Sequence, residues 1–206
     1  MPRHRTLESI FAVTRPITFA LVVLALASAL LLAGCSKGAG GNSMHVKSTA
    51  TGEKDMPVKS GYAFAVTKTF TDVAGKMSTA ATYNVYAANY DLDSSFFAQT
   101  MNKPMTSDDQ MRVVFSLVSD EGGTEKSPAK VGNYLAKADK FMKVESVGIV
   151  SRKGGAEDKG RVERSTLTGD VKVTSVSSDT ITGEVDLKSG DTSIKGPFTA
   201  KILTRK

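Results

Sequence analysis

The side chains able to do chemistry are few, and their positions narrow the chemistry that is open. The 206-residue chain holds one cysteine, Cys35, and two histidines, His4 and His45. Beyond His45 there is neither an imidazole nor a thiol. A Ser-His-Asp triad, a Cys-His dyad or an ordinary zinc site therefore has no residues to be built from there. Carboxylate chemistry has one local candidate, Asp91 with Asp93 in "DLDSSFFAQTMN". Such a pair can divide the acid and nucleophile roles of glycan hydrolysis, but these two belong to one turn and point the same way only if it is extended. The stretch also imitates the start of a calcium loop through Asp91, Asp93 and Ser95. Phe96 then stands where glycine is needed and Asn102 where a bidentate glutamate is needed, so no metal and no cofactor is expected. The remaining candidate is basic and glycine-rich: "SRKGGAEDKGRVER", Ser151 to Arg164. Glu157, Asp158 and Glu163 answer three of its five cations, and it lacks the Gly-Lys-Ser/Thr ending of a phosphate loop. Gly154-Gly155 reads as a hairpin connection. Arg152 and Lys153 are candidate contacts for a phosphorylated lipid or an anionic glycan.

The cysteine is explained by what precedes it. Arg3, Arg5 and Arg15 against Glu8 make a basic start, and Pro16 to Ala33 carries no charge. That is the n-region and h-region of an export signal; an uncleaved membrane anchor is the alternative for an apolar run of this length. The run ends Leu32-Ala33-Gly34-Cys35, which resembles the lipobox of bacterial lipoprotein precursors. The resemblance covers residues 1 to about 36 and carries definite implications. Cys35 would be thioether-linked to diacylglycerol, signal peptidase II would recognise Leu32, Ala33 and Gly34 and cut before Cys35, and the new amino terminus would be acylated. Ser36, where an aspartate would retain the protein in the inner membrane, implies the outer membrane, periplasmic or surface-facing. The residue types suit this chemistry, because a thiolate is the nucleophile that takes a lipid near neutral pH. Several acyl chains then hold almost permanently, each buried methylene adding about 0.8 kcal/mol.

Charge excludes another class. The sequence carries a formal +6, but +2 lies in the signal and +2 in Ser36 to Lys59. Ser60 to Lys206 holds 20 Lys/Arg against 18 Asp/Glu, so no nucleic-acid footprint is present. This part also lacks cysteine, and at about 147 residues it can bury a core without disulfides.

The organisation expected is a signal over 1–34, a lipidated cysteine and flexible tether over 35–59, and one domain over 60–206. "SKGAGGNSMHVKSTATGEKDMPVK" has no periodicity and reads as a coil with a span of roughly 25–30 Å. Beyond Ser60 the period is two. Leu167, Val171, Val173; Ile181, Val185, Leu187; and Ile194, Phe198, Ala200, Ile202 alternate with polar residues, which predicts an antiparallel meander turning at Ser177–Asp179 and Ser189–Asp191. Upstream, "GYAFAVT", "ATYNVYAANY", "MRVVFSLVS" and "FMKVESVGIVSR" read as strands. "SPAKVGNYLAKADKF" suits a short helix capped by Ser127 as well as it suits a bulged strand. Phe96, Phe97, Met101, Met105 and Met111 form the densest run of large flexible apolar residues, suited to core packing or, at Phe96, Phe97, Met101 and Met105, to the lip of a ligand or partner site. The fold expected is all-β: an antiparallel β-sandwich with at most one short helix, or else a calycin-like barrel. The function expected is that of a lipid-anchored cell-envelope protein, not an enzyme, whose domain binds or scaffolds an envelope protein, lipid or glycan. A lipocalin-like carrier and a carboxylate-dependent glycan hydrolase are the alternatives.

Overall fold

Alternation of apolar and polar side chains, with glycine-containing turns between the runs, leaves this chain little choice but sheet. The computed structural model describes residues 42–93 and 104–204, and in them eleven strands form one mixed sheet. They are β1 (Ser43–Ser48), β2 (Gly52–Pro57), β3 (Ser60–Thr71), β4 (Met77–Ala88), β5 (Met111–Val118), β6 (Gly132–Leu135), β7 (Lys143–Lys153), β8 (Ala156–Arg161), β9 (Thr168–Val176), β10 (Thr180–Ser189) and β11 (Thr192–Ile202). No α-helix occurs among the described residues, only a 3-10 turn at Arg164–Thr166.

The all-β class stands, and of its two architectures the barrel is the one formed. The path β10-β9-β6-β7-β5-β4-β3-β11 returns to β10, because β10 pairs with β11 as well as with β9. Closure is thin at two corners. β6 meets β7 through a single parallel pair, Leu135 with Lys143, and β11 meets β3 through two, Lys201 with Tyr62 and Ile202 with Ala63. Everything between the corners is antiparallel. The barrel is thus two antiparallel sheets joined at their edges, which is why the pattern also reads as a sandwich.

The inward set is what the period of two selects. Ala63, Ala81, Tyr83, Val85, Val113, Phe115, Leu117, Val144, Val147 and Ile149 come from one sheet, and Tyr134, Val171, Val173, Ile181, Val185, Leu187, Ile194, Phe198 and Ala200 from the other. Phe115 and Phe198 meet edge to face at the centre, 5.1 Å between ring centroids. The C-terminal meander has the predicted strands, turns and buried face. The undecided segment is strand: Val131 and Leu135, core-facing in a helix, are 56% and 48% exposed, whereas Tyr134 and Ala136 are buried.

The tether expected over 35–59 is corrected by the first two strands. β1 and β2 form a hairpin in continuous register from Ser43 opposite Pro57 to Ser48 opposite Gly52, and β1 adds to β11 through His45, Val46 and Lys47. Met44, Val46 and Met56 are buried in the main core. The domain therefore begins near Asn42, not at Ser60. The sequence hid this because three apolar residues alternating with charges, at the end of a glycine-rich stretch, look like coil when the wall they pack against is unknown.

Both ends of the barrel are covered. The β1–β2 hairpin lies over one end: Val58 N–H donates to the Asn42 carbonyl and Lys59 N–H to that of Ala88, while the hairpin turn reaches the last residues of β7. At the other end the loop 119–131 is tied down by inward tyrosines. Tyr83 donates its hydroxyl to the Ser127 carbonyl, and Tyr134 donates to that of Lys130 at 2.9 Å while accepting from the Lys130 N–H at 3.1 Å. Burial, with Tyr134 close by, pushes the Tyr83 phenol up to about 12. It stays a neutral donor at any physiological pH.

Candidate functional site

Of the residues singled out from sequence, Leu32, Ala33, Gly34, Cys35, Phe96, Phe97 and Met101 lie outside the described residues. Met105, Arg152 and Lys153 are described, and the structure brings them to one end of the barrel, the end that the β1–β2 hairpin covers.

Met105 is a core residue. It is 1% exposed and packs with Ala88, Tyr90 and Leu92 on the outer face of β4, in a second small core that also takes in Tyr62, Tyr86 and Val150. Its backbone is clamped from both sides, its N–H donating to Glu157 Oε1 at 3.0 Å and its carbonyl accepting from Arg152 at 2.7 Å. Beneath it the buried Arg112 donates to the Tyr90 hydroxyl at 2.8 Å. A flexible thioether here fills space between a loop and a sheet.

Arg152 has the same structural employment. Besides Met105 it pairs through Nε with Asp108 at 3.4 Å. Asp108 is held in turn by the N–H groups of Gly154 and Gly155, at 2.7 and 3.1 Å. Gly154 and Gly155 have φ of +59° and +82°, and their left-handed backbone aims two successive amides at one point. The glycine-rich run does cradle an anion, but the anion is the chain's own carboxylate.

Lys153 is exposed and remains available. It lines a groove of about 360 Å³ with Ser151, Arg152 and Asp108, and with Thr49, Ala50, Thr51, Gly52 and Lys54 of the hairpin. The alternation of β2 puts Lys54 on the face of Met56, the face turned toward the barrel. Lys54 and Lys153 make no ion pair among the described residues, and Asp108 is already engaged. Asp109, next to it, is held below the usual carboxylate range mainly by Ser107, with Lys54 adding to the effect. Sequence reasoning found Arg152 and Lys153 but missed Thr49, Thr51 and Lys54, which come together with them only through the hairpin.

The hairpin's other face carries both signs of charge. His45 bonds Asp55 through Nδ1 at 2.9 Å and Glu53 through Nε2 at 3.1 Å, and Lys47 lies 3.5 Å from Glu53. The bond to Asp55, opposed by some desolvation and helped by Glu53, raises the His45 pKa.

At the far end of the barrel Phe70 and Phe141 pack edge to face at 5.5 Å, with the ammonium groups of Lys68, Lys140 and Lys143 each within 6 Å of the Phe70 ring. Lys68 is paired with Glu145, and Lys143 donates to the Asp139 carbonyl at 3.0 Å. Burial, reinforced by Arg164, lowers the Lys143 pKa.

Asp91 is 71% exposed and ion-paired to Lys59 at 2.9 Å. Among the described residues no group of three His, Cys, Asp or Glu side chains is placed to hold a metal. Neither a family model, nor a curated protein, nor a solved structure matches the chain.

Proposed function

We propose that this is a lipid-anchored protein of the bacterial envelope, held through Cys35 in the outer membrane, whose barrel binds or scaffolds by its surface and does no catalysis. One observation carries the choice of surface over interior: the barrel is filled. Phe115, Phe198 and Tyr134 occupy its middle, Met44, Val46 and Met56 enter from one end, and Ala129 from the loop at the other. A carrier's interior must instead leave about 300 Å³ or more for its ligand. A barrel is a fold that lipocalin-like carriers also use, but here a ligand would have to displace the hairpin and its three buried apolar side chains. The hydrolase alternative finds no support in Asp91, which is occupied by a lysine at the surface.

The anchor is tested by labelled palmitate. The wild-type chain should take up label and be cleaved before Cys35, and Cys35→Ser should remain an unprocessed, unlabelled precursor. Normal labelling of the variant would end the lipoprotein reading. Native mass spectrometry of the protein extracted from membranes tests the rest. A stoichiometric apolar ligand would favour the carrier, whereas an associated envelope component without one would favour surface binding.

A further inference from the structure

We infer that the groove between the β1–β2 turn and the β7–β8 turn grips the phosphate of anionic lipid head groups in the membrane that holds the anchor. The inference rests on the lipid-anchored reading above and adds to it a ligand and a site. Two ammonium groups without an ion pair and several hydroxyls line one groove, at the end of the barrel that the β1–β2 hairpin covers.

Chain length limits the distance. Only six residues separate Cys35 from Asn42, so a fully extended connection reaches about 25 Å. Asn42 is fastened to the barrel through Val58, and the hairpin that starts there is about 20 Å long. The hairpin end of the barrel is therefore the part of the domain nearest in chain to the anchor, and Lys68, Phe70 and Lys140 lie at the opposite ends of the twelve-residue strands β3 and β4.

The lining suits a phosphate. Lys54 comes from the hairpin and Lys153 from β7, and the hydroxyl-bearing Thr49, Thr51 and Ser151 share the lining, the Thr51 hydroxyl donating to the Gly52 carbonyl at 3.0 Å. Of the two neighbouring carboxylates, Asp108 is held by Arg152 and two amides and does not cancel the lysines, whereas Asp109 interacts with Lys54 and offsets part of its charge. Lysine serves as a point charge for phosphate without demanding bidentate geometry. On the outer face of the hairpin the carboxylates of Glu53 and Asp55 are bonded by His45, and Glu53 also by Lys47. Attraction to an anionic surface is worth a factor of about five per lysine, enough to set the domain's posture on a membrane to which it is already tied.

The test uses the full lipidated chain reconstituted through its own anchor, in phosphatidylcholine vesicles or in vesicles that also contain phosphatidylglycerol. Lysines are acylated under native conditions and the modification at each is read by mass spectrometry. Lys54 and Lys153 should be several-fold less reactive in the anionic vesicles, with Lys76 and Lys140 unchanged. In Lys153→Gln the protection of Lys54 should fall about fivefold, because both lysines hold the same group. Equal reactivity of Lys54 and Lys153 in the two vesicle types, with the protein anchored in both, would overturn the groove and leave the anchor standing. Equal protection in neutral vesicles by glycerol phosphate or inorganic phosphate would overturn the lipid as its source. A chain that fails to enter either kind of vesicle would overturn the anchor, and the proposal with it.

Discussion

Phe198 offers the sharpest test of how the barrel is filled. It is 1% exposed, stacks edge-on against Phe115 from the opposite sheet, and lies across from Gly183 in the β10–β11 register. A buried aromatic side chain removes about 150–250 Å² from water. At about 25 cal/mol per Å² this is some 4–6 kcal/mol, of which alanine retains a part. Phe198→Ala should then cost about 3–5 kcal/mol, a large share of the 5–15 kcal/mol that holds a domain together. Gly183 provides the internal check. A methyl group added there would stand 2.8 and 2.9 Å from ring carbons of Phe198 and 2.3 Å from the Lys172 carbonyl. Gly183→Ala should therefore cost about 1–3 kcal/mol through overpacking. With the ring gone, two of the three clashes disappear and the carbonyl remains. The same glycine change should thus cost less in the Phe198→Ala background, without becoming free, and the coupling is read from urea midpoints of a double-mutant cycle. Thr199→Ala, exposed on the other face, should stay within about 0.5 kcal/mol. If Phe198→Ala cost under about 1 kcal/mol, or the two core changes were strictly additive, the ring would not be seated between Phe115 and Gly183 as described.

Other expectations follow from particular contacts. Met56→Ala should cost about 2–5 kcal/mol in a urea melt, because the residue is 1% exposed in the main core; no effect would return 43–57 to a flexible tether. The raised His45 pKa means that its pairs with Asp55 and Glu53 stabilise fully below the unfolded value near 6.5 and cease to do so as pH rises through the higher folded value. The stability deficit of His45→Ala should accordingly be larger at pH 5.5 than at pH 8 in thermal melts, and a deficit that grew with pH would contradict the geometry. Gly169→Ala should destabilise far more than Gly190→Ala, since both have positive φ but only the former would drive a methyl against backbone, 1.9 Å from the Asp186 carbonyl; equilibrium denaturation compares them. Arg152→Ala should release the clamp on Met105 and Asp108 and make 104–110 sensitive to limited proteolysis, while a resistant variant would show that the second core holds the loop without it.

What the sequence determined by itself was what nearest neighbours decide. The period of two along 167–202 chose strand, turn and buried face for the C-terminal meander, because alternation in a strand is a local property that any apolar wall satisfies. The absence of thiols and imidazoles after His45 was equally local. Two sheets facing each other or one sheet closed on itself bury the same alternating residues, so the pattern could not choose between sandwich and barrel. That choice fell to three residue pairs, Leu135 with Lys143, Lys201 with Tyr62 and Ile202 with Ala63. Tertiary structure likewise decided that Ser43–Pro57 belongs to the domain, since Met44, Val46 and Met56 become core only when β11 offers an edge and the barrel an open end. It decided the site for the same reason. Lys54 and Lys153 are 99 positions apart, and only long-range pairing brings their charges to one groove while giving Arg152 and the Gly154-Gly155 amides to Asp108.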